Sequence, residues 1–252
     1  HTTQKIEKLG AAPFRVNATG AQGQDAFYYK QGEPLGIMYG AKWVRNVNEL
    51  LDNPANKANT AFTVNDYTVN SDGYVVKKSL KGTAGEIPYK YVDASGGTNF
   101  VIGDVNPDLT WGISNTLRYK SVQVYALFSG VQGGAIYNFT KQWMTQDSRT
   151  AMQDQSGKPS ADRIADGFYQ IIYNGLVASD AYVENGTYAK LKELSVSYNF
   201  SQKLLESMQL TRVIKGAKVA FVGRNLLTWT KYSGFDPEVT SASDFNFRMD
   251  GF

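Results

Sequence analysis

Over residues 111–129 apolar and polar side chains alternate with a period of two. Trp111, Ile113, Leu117 and Tyr119 fall on one parity, and Gly112, Ser114, Thr116 and Arg118 on the other. Lys120 and Ser121 make a tight turn, and the chain returns with Val122, Val124, Ala126 and Phe128 on the apolar parity. Gln123, Tyr125 and Ser129 lie opposite. This pattern predicts a β-hairpin with one apolar and one polar face. A second alternating stretch sets Leu194, Val196, Tyr198 and Phe200 against Glu193, Ser195, Ser197 and Asn199. Lys190 and Lys192 share the apolar parity of that stretch, so they lie beyond the apolar band or the strand shifts register there. A third stretch sets Ala217, Val219 and Phe221 against Lys218 and Arg224. Between the last two, residues 201–208 predict a short capped helix.

The rest of the chain is less periodic. Residues 26–30 and 35–40 read as strands separated by a turn at Gly32, Glu33 and Pro34. Residues 45–107 are rich in Asn, Gly, Asp and Pro and predict a long loop region with short strands, a length that is often functional. Residues 141–175 predict helix, with Ser160 as a cap and Ile164, Phe168, Ile171 and Ile172 at helical spacing on a packed face.

Strand length bears on what the alternating sheet faces. Residues 111–119 span roughly 26 Å at about 3.3 Å per residue. Tilted by about 40°, such a strand covers roughly 20 Å of the approximately 25 Å apolar band of an outer-membrane barrel. A β-sandwich hairpin has the same periodicity, so alternation alone leaves barrel and sandwich open. Composition adds that 13% of residues are aromatic and only 19% charged, against about a quarter charged in soluble domains. That balance suits a surface facing something other than bulk water. No run approaches the roughly 18 apolar residues of a membrane helix, a length β-strands do not need.

Charge and chemistry narrow the function classes. The formal charge is +3, and Arg212, Lys215, Lys218 and Arg224 read as solvated strand residues, so no nucleic-acid partner is expected. There is no cysteine, and the single histidine is His1. Disulfides, thiolate chemistry and histidine triads are therefore excluded within the chain. No phosphate loop or nucleophile elbow is present. Carboxylate pairs are available among 23 acidic residues but specify nothing, and no catalytic residue or cofactor is expected.

Residues 225–239 (NLLTWTKYSGFDPEV) resemble the near-C-terminal signature of the SusC/RagA family of TonB-linked outer-membrane transporters. Residues 186–198, 132–138, 102–112 and 32–40 are similar to four further family blocks, all in family order. The resemblance implies an all-β fold, the C-terminal part of a large antiparallel transmembrane β-barrel of about 22 strands. It also implies long extracellular loops and a few short helices. Residues 1–252 would form one such portion, without the plug, the N-terminal strands or the closing strand. The implied function is TonB-dependent import of nutrient oligomers, glycan or peptide, across a Bacteroidota-type outer membrane. Implied partners are membrane lipid, a SusD-like lipoprotein acting as a hinged lid, and TonB acting through the absent N-terminal region. Transporter–lipoprotein pairs would form a dimer.

Within that resemblance, Trp229, Lys231, Tyr232, Phe235, Asp236 and Glu238 are candidate substrate contacts. The aromatics could stack on sugars or pack on peptide side chains, and the charged groups could hydrogen-bond. Arg118 and Arg224 are expected to face the lumen. Many relatives carry an Asp-rich turn before the residue 102–112 block. Here residues 92–97 offer Asp93 and Ser95 alone, too few oxygen ligands for calcium, so no metal is expected. Two other readings stay open: a soluble or surface β-sandwich that binds glycans, and a passive porin.

Overall fold

The computed structural model describes residues 5–10, 12–16, 26–173, 175, 177–238 and 249–250. In chain order its strands are β1 (Phe14–Val16), β2 (Phe27–Tyr29), β3 (Ile37–Gly40), β4 (Tyr67–Val69), β5 (Val75–Lys77) and β6 (Phe100–Asp104). There follow β7 (Leu109–Tyr119), β8 (Val122–Gln132), β9 (Ala135–Asn138), β10 (Val183–Asn185), β11 (Tyr188–Asn199), β12 (Lys218–Thr230) and β13 (Met249–Asp250). The α-helices are α1 (Pro54–Ala58), α2 (Phe139–Gln146), α3 (Asp166–Tyr173) and α4 (Gln202–Ser207). No helix among the described residues is long and apolar enough to cross a membrane. The chain divides into two compact units, a sheet unit of Pro107–Gly133 and Gly186–Tyr232 and a loop unit made of the rest.

The sheet unit is built on the alternating stretches. Its four strands lie in the order β12-β11-β8-β7, every neighbouring pair antiparallel. Register lines up the apolar positions in rows across all four. Tyr119, Val122, Tyr198 and Val219 form one row, and Leu117, Val124, Val196 and Phe221 the next. Further along, Ile113, Phe128, Leu191 and Leu227 form a third. Directly paired residues share a face, so these rows make one largely apolar surface, interrupted by Asn115 in the row of Ala126, Leu194 and Gly223. It is uncovered: Leu117 is 66% exposed and Phe221 77%. A β-sandwich would bury these side chains against a second sheet. Among the described residues no second sheet covers them. The opposite face carries Arg118, Gln123 and Ser197 in one row and Ser114, Leu127, Glu193 and Arg224 in another.

The two lysines on the wrong parity are accommodated by a β-bulge. Register slips between Leu191 and Glu193, so Lys192 has no direct partner on β8. One extra residue inverts the parity of what precedes it. Leu191 and Ala189 thereby join the apolar face. Lys190 turns to the polar face, between Ser129 and Thr228, where its ammonium lies 5.8 Å from the Tyr188 ring centroid. Of the two outcomes left open by the sequence, the strand takes the register shift. Beside the bulge, Trp111 pairs with Gly130, and a Cβ at Gly130 would collide with the Trp111 ring and the Tyr188 carbonyl.

The loop unit has its own aromatic core, including Phe27, Met38, Trp43, Tyr74, Tyr137, Phe168, Tyr169, Ile172 and Tyr182. Trp43 meets Tyr74 edge-on at 6.5 Å and Tyr74 meets Phe168 at 5.5 Å, the arrangement that ring quadrupoles favour. Around the core, the Asn-rich stretch 45–107 is held by local side-chain turns. Asn46, Asn53, Asn59 and Asn70 each accept a backbone N–H two residues on, at 3.0–3.1 Å. Such bonds satisfy the backbone without long strands, so short β4, β5 and β6 suffice there. Asp93 does the same, accepting from the backbone of Ser95 and Gly97, both at 2.8 Å.

The helical expectation for residues 141–175 needs correction. Ser160 caps no helix; it begins a 3-10 turn, Ser160–Asp162, with no side-chain cap bond. The Ile164 N–H goes instead to Gln155 Oε1 at 3.0 Å. Helix α3 begins only at Asp166, and Ile164 is buried ahead of it. Ile171, expected on the packed face, is exposed. The predicted capped helix at 201–208 does form, with Ser201 Oγ accepting the Leu204 N–H.

The bulge makes a direct prediction. Deleting Lys192 would return Lys190 to the apolar face and Leu191 to the polar one, abolishing the protease-resistant sheet. Lys192→Ala keeps the residue count and should change unfolding stability by no more than about 1 kcal/mol. Limited proteolysis of the two variants separates these outcomes.

Candidate functional site

The predicted site residues divide between the two units. In the sheet unit, Trp229 pairs with Ala189 on the apolar face, in line with Gly130 and Trp111. Lys231 is exposed, whereas Tyr232 is buried, with its N–H donated to Thr230 Oγ1 at 3.1 Å. Arg118 and Arg224 both stand on the polar face. Arg224 Nε lies 3.7 Å from Glu193 Oε2 with the arginine side chain 78% exposed, a solvated pair worth about 0–1 kcal/mol.

In the loop unit, Phe235, Asp236 and Glu238 lie on one turn. Asp236 Oδ1 accepts the Glu238 N–H at 2.8 Å across Pro237, so the Asp-Pro pair shapes the turn. Phe235 is lifted clear of the turn and is 92% exposed. It forms the lip of a pocket of about 400 Å³, within the usual range for ligand sites, about 300–1,000 Å³. Met144, Ala151 and Met152 wall the pocket, and Asn138, Lys141 and Ser233 lie along its base.

That base is a closed hydrogen-bond network around Glu184. Lys141 Nζ donates to Glu184 Oε1 at 2.9 Å. Ser233 donates from its N–H and from its hydroxyl, each at 2.7 Å. Asn138 Nδ2 reaches Glu184 and the Ser233 hydroxyl oxygen at 3.3 Å. Asn138 Oδ1 also caps α2 by accepting the Lys141 N–H at 2.8 Å. One carboxylate thus ties β10, the start of α2 and the Phe235 turn together. Burial pushes the Glu184 carboxyl up, but the bonds from Lys141 and Ser233 outweigh burial and hold it below its ordinary 4.5.

Of the residues lining this pocket, sequence reasoning named Phe235 alone as a candidate contact, and Asn138 only as the end of a family block. It missed Lys141, Met144, Met152, Glu184 and Ser233. No local pattern marks them, because the chain brings them together from positions up to 95 residues apart. Among the described residues no group of three or more His, Cys, Asp or Glu side chains is placed to hold a metal. The arrangement can bind and orient a group.

The architecture is that of a β-rich outer-wall and loop assembly, and comparison with known proteins makes it more specific. No family model matches the chain. It is 32% identical over 148 residues to TonB-dependent receptor P3 of Formosa agariphila, covering 59% of this chain and 14% of that protein. It is also 32% identical over 145 residues to TonB-dependent receptor P26 of the same organism, covering 55% and 14%. Among solved structures, it resembles the RagAB peptide importer in its closed-closed state, with a TM-score of 0.56 and 20% identity over 98% of this chain and 25% of that one. The structure of the RagAB peptide transporter gives 0.55 and 21%. The chain is thus similar in sequence to TonB-dependent receptors and in fold to part of a RagAB importer, and it spans 14% of the length of the curated relatives it matches.

Glu184 yields an acid-dependence prediction. A carboxyl with a lowered folded value stabilises above its unfolded value, and that stability is lost as pH falls through the folded value. The loop unit should therefore loosen as pH drops below about 4. Glu184→Gln should remove that acid-dependent component and cost about 1–3 kcal/mol at neutral pH. Hydrogen exchange of α2 and the Phe235 turn across pH measures both.

Proposed function

We propose that this chain contributes wall strands and external loops to a closed outer-membrane β-barrel that imports nutrient oligomers by a TonB-dependent mechanism. The carrying observation is the largely exposed apolar face that extends across β7, β8, β11 and β12. Soluble monomers rarely expose so extended an apolar patch. The observed length of β7, eleven residues, is roughly 33 Å at about 3.3 Å per residue. Tilted by about 40°, this gives about 25 Å, the height of the apolar band in outer-membrane barrels. Likeness to proteins named TonB-dependent receptors and to a peptide importer supports the same reading.

In this reading the apolar face meets lipid and the polar face, with Arg118 and Arg224, lines the water-filled interior. Trp229 sits on the lipid side, near the edge of the band, and leaves the set of substrate contacts. Phe235, Asp236 and Glu238 belong to an external surface that meets cargo, an oligosaccharide or a peptide, whereas Tyr232 is buried and does not reach it. A SusD-like lipoprotein covers that surface as a lid, and TonB, acting on a plug, opens the path. Pairs of transporter and lipoprotein assemble as dimers. The chain's task is binding and passage, with no covalent step.

Two measurements test this. Cells carrying the full transporter should take up labelled oligomers only with TonB and a proton gradient. Energy-independent flux would mean a passive porin. In the refolded transporter, Leu117→Arg should cost about 2–4 kcal/mol in lipid vesicles, while Thr116→Arg on the polar face should be nearly neutral. Equal tolerance of both would overturn the sidedness.

A further inference from the structure

We infer that the short-turn end of the sheet unit is a seat for the anionic headgroups of a phospholipid leaflet. The inference rests on the import reading and names a lipid partner for one end of the wall. Two connections meet at that end: the turn at Lys120 and Ser121 between β7 and β8, and residues 200–217, which carry α4, between β11 and β12. They are pinned side by side. The Asn199 N–H is donated to the Ser121 carbonyl at 2.8 Å, and the Phe200 N–H to the Ala217 carbonyl at 2.9 Å. Charge there is one-sided. Lys120, Lys203, Arg212, Lys215 and Lys218 are all exposed, and Glu206 is the one carboxylate among residues 119–121 and 199–218. None of these five cations is ion-paired to a described residue.

Depth sets these cations at headgroup level. Tyr119, Val122, Tyr198 and Val219 are the last apolar row of the sheet. Lys120 and Lys218 stand one residue beyond it, about 3 Å along the strand. A lysine so placed lays its methylenes on apolar surface and holds its ammonium at the polar boundary. Lys120 takes a left-handed backbone, φ 52°, and its ammonium lies 5.3 Å from the Tyr119 ring centroid. Tyr119 is on the apolar face, so this ammonium stands on the lipid side, beside an aromatic of the kind found at membrane interfaces. The α4 connection adds apolar contact. Leu205 anchors it in a buried position, while Met208, Leu210 and Val213 are exposed, Val213 by 84%. Apolar side chains set among cations suit a segment lying in a membrane interface: the apolar groups enter the acyl boundary and the cations meet anionic headgroups. Residues 134–185 join β8 to β11 at the opposite end of the sheet, so with the loops external this end meets the inner leaflet.

The test uses the full-length transporter refolded into vesicles of equimolar phosphatidylcholine and phosphatidylglycerol. This chain has no cysteine, so Val213→Cys places a benzophenone label on the exposed apolar segment, and the transporter without that substitution sets the background. After illumination the adducts are identified by mass spectrometry. Phosphatidylglycerol adducts should exceed phosphatidylcholine adducts by about tenfold, a preference that a few cations near an anionic surface supply. Lys203→Gln with Arg212→Gln, and separately Lys215→Gln with Lys218→Gln, should each lower that ratio by about threefold or more. Two separate pairs of exposed residues keep the test valid if one variant fails to assemble. Equal adducts of both lipids, or a ratio unmoved in the variants that assemble, overturns the inference. So do adducts to protein in place of lipid, which would mean that a polypeptide covers this end, or adducts to neither. If the transporter inserts and energised uptake persists while the ratio is indifferent to these cations, this inference alone fails. If the protein does not enter the vesicles, the import reading fails with it.

Discussion

The structure depends on keeping one face of a four-stranded sheet largely apolar while its interior strands are paired on both sides. In hydrocarbon an unpaired N–H or C=O costs several kcal/mol, so a sheet can meet lipid only with its backbone paired. Strands β8 and β11 are paired on both sides. Strands β7 and β12 are paired on one side within the sheet, and in the import reading their outer edges continue into neighbouring wall strands. The bulge at Lys192 belongs to the same constraint. A strict alternation would carry Lys190 onto the apolar face, where an ammonium is poorly solvated. One extra residue in the strand turns it to the polar face, where serine and threonine neighbours and the Tyr188 ring receive it.

The loop unit answers a different problem. A long connection outside a regular sheet must satisfy its backbone by local means and still hold a surface in one shape. Asparagine side chains do the first by closing tight turns on their own backbone. The aromatic core around Trp43, Tyr74 and Phe168 does the second, giving the connection a buried interior of its own. On that platform Glu184 joins three segments through a single carboxylate. The pocket beside Phe235 is lined in part by this network.

The two units show how far each level of information reaches. The hairpin of β7 and β8, the apolar parity of Leu194, Val196 and Tyr198, and the Ser201 cap were legible because each is a local pattern with a short period. Ser160 was misread as a cap because its suitability is local, whereas the Ile164 N–H is donated to Gln155 Oε1. Trp229 read as a substrate contact because an aromatic in a signature block suits sugars or peptides. Its side became evident only when the register with Ala189 set it in the apolar row.

The sequence by itself therefore determined the alternation, the class of surface it makes, and the family likeness carried by its motif blocks. The tertiary structure alone decided the register that resolves Lys190, the grouping of Asn138, Lys141, Glu184 and Ser233, and the pocket they underlie. The physical reason is range. Side-chain parity and capping are set by neighbours a few residues apart, while a bulge partner, a shared carboxylate or a cavity exists only after distant segments have packed.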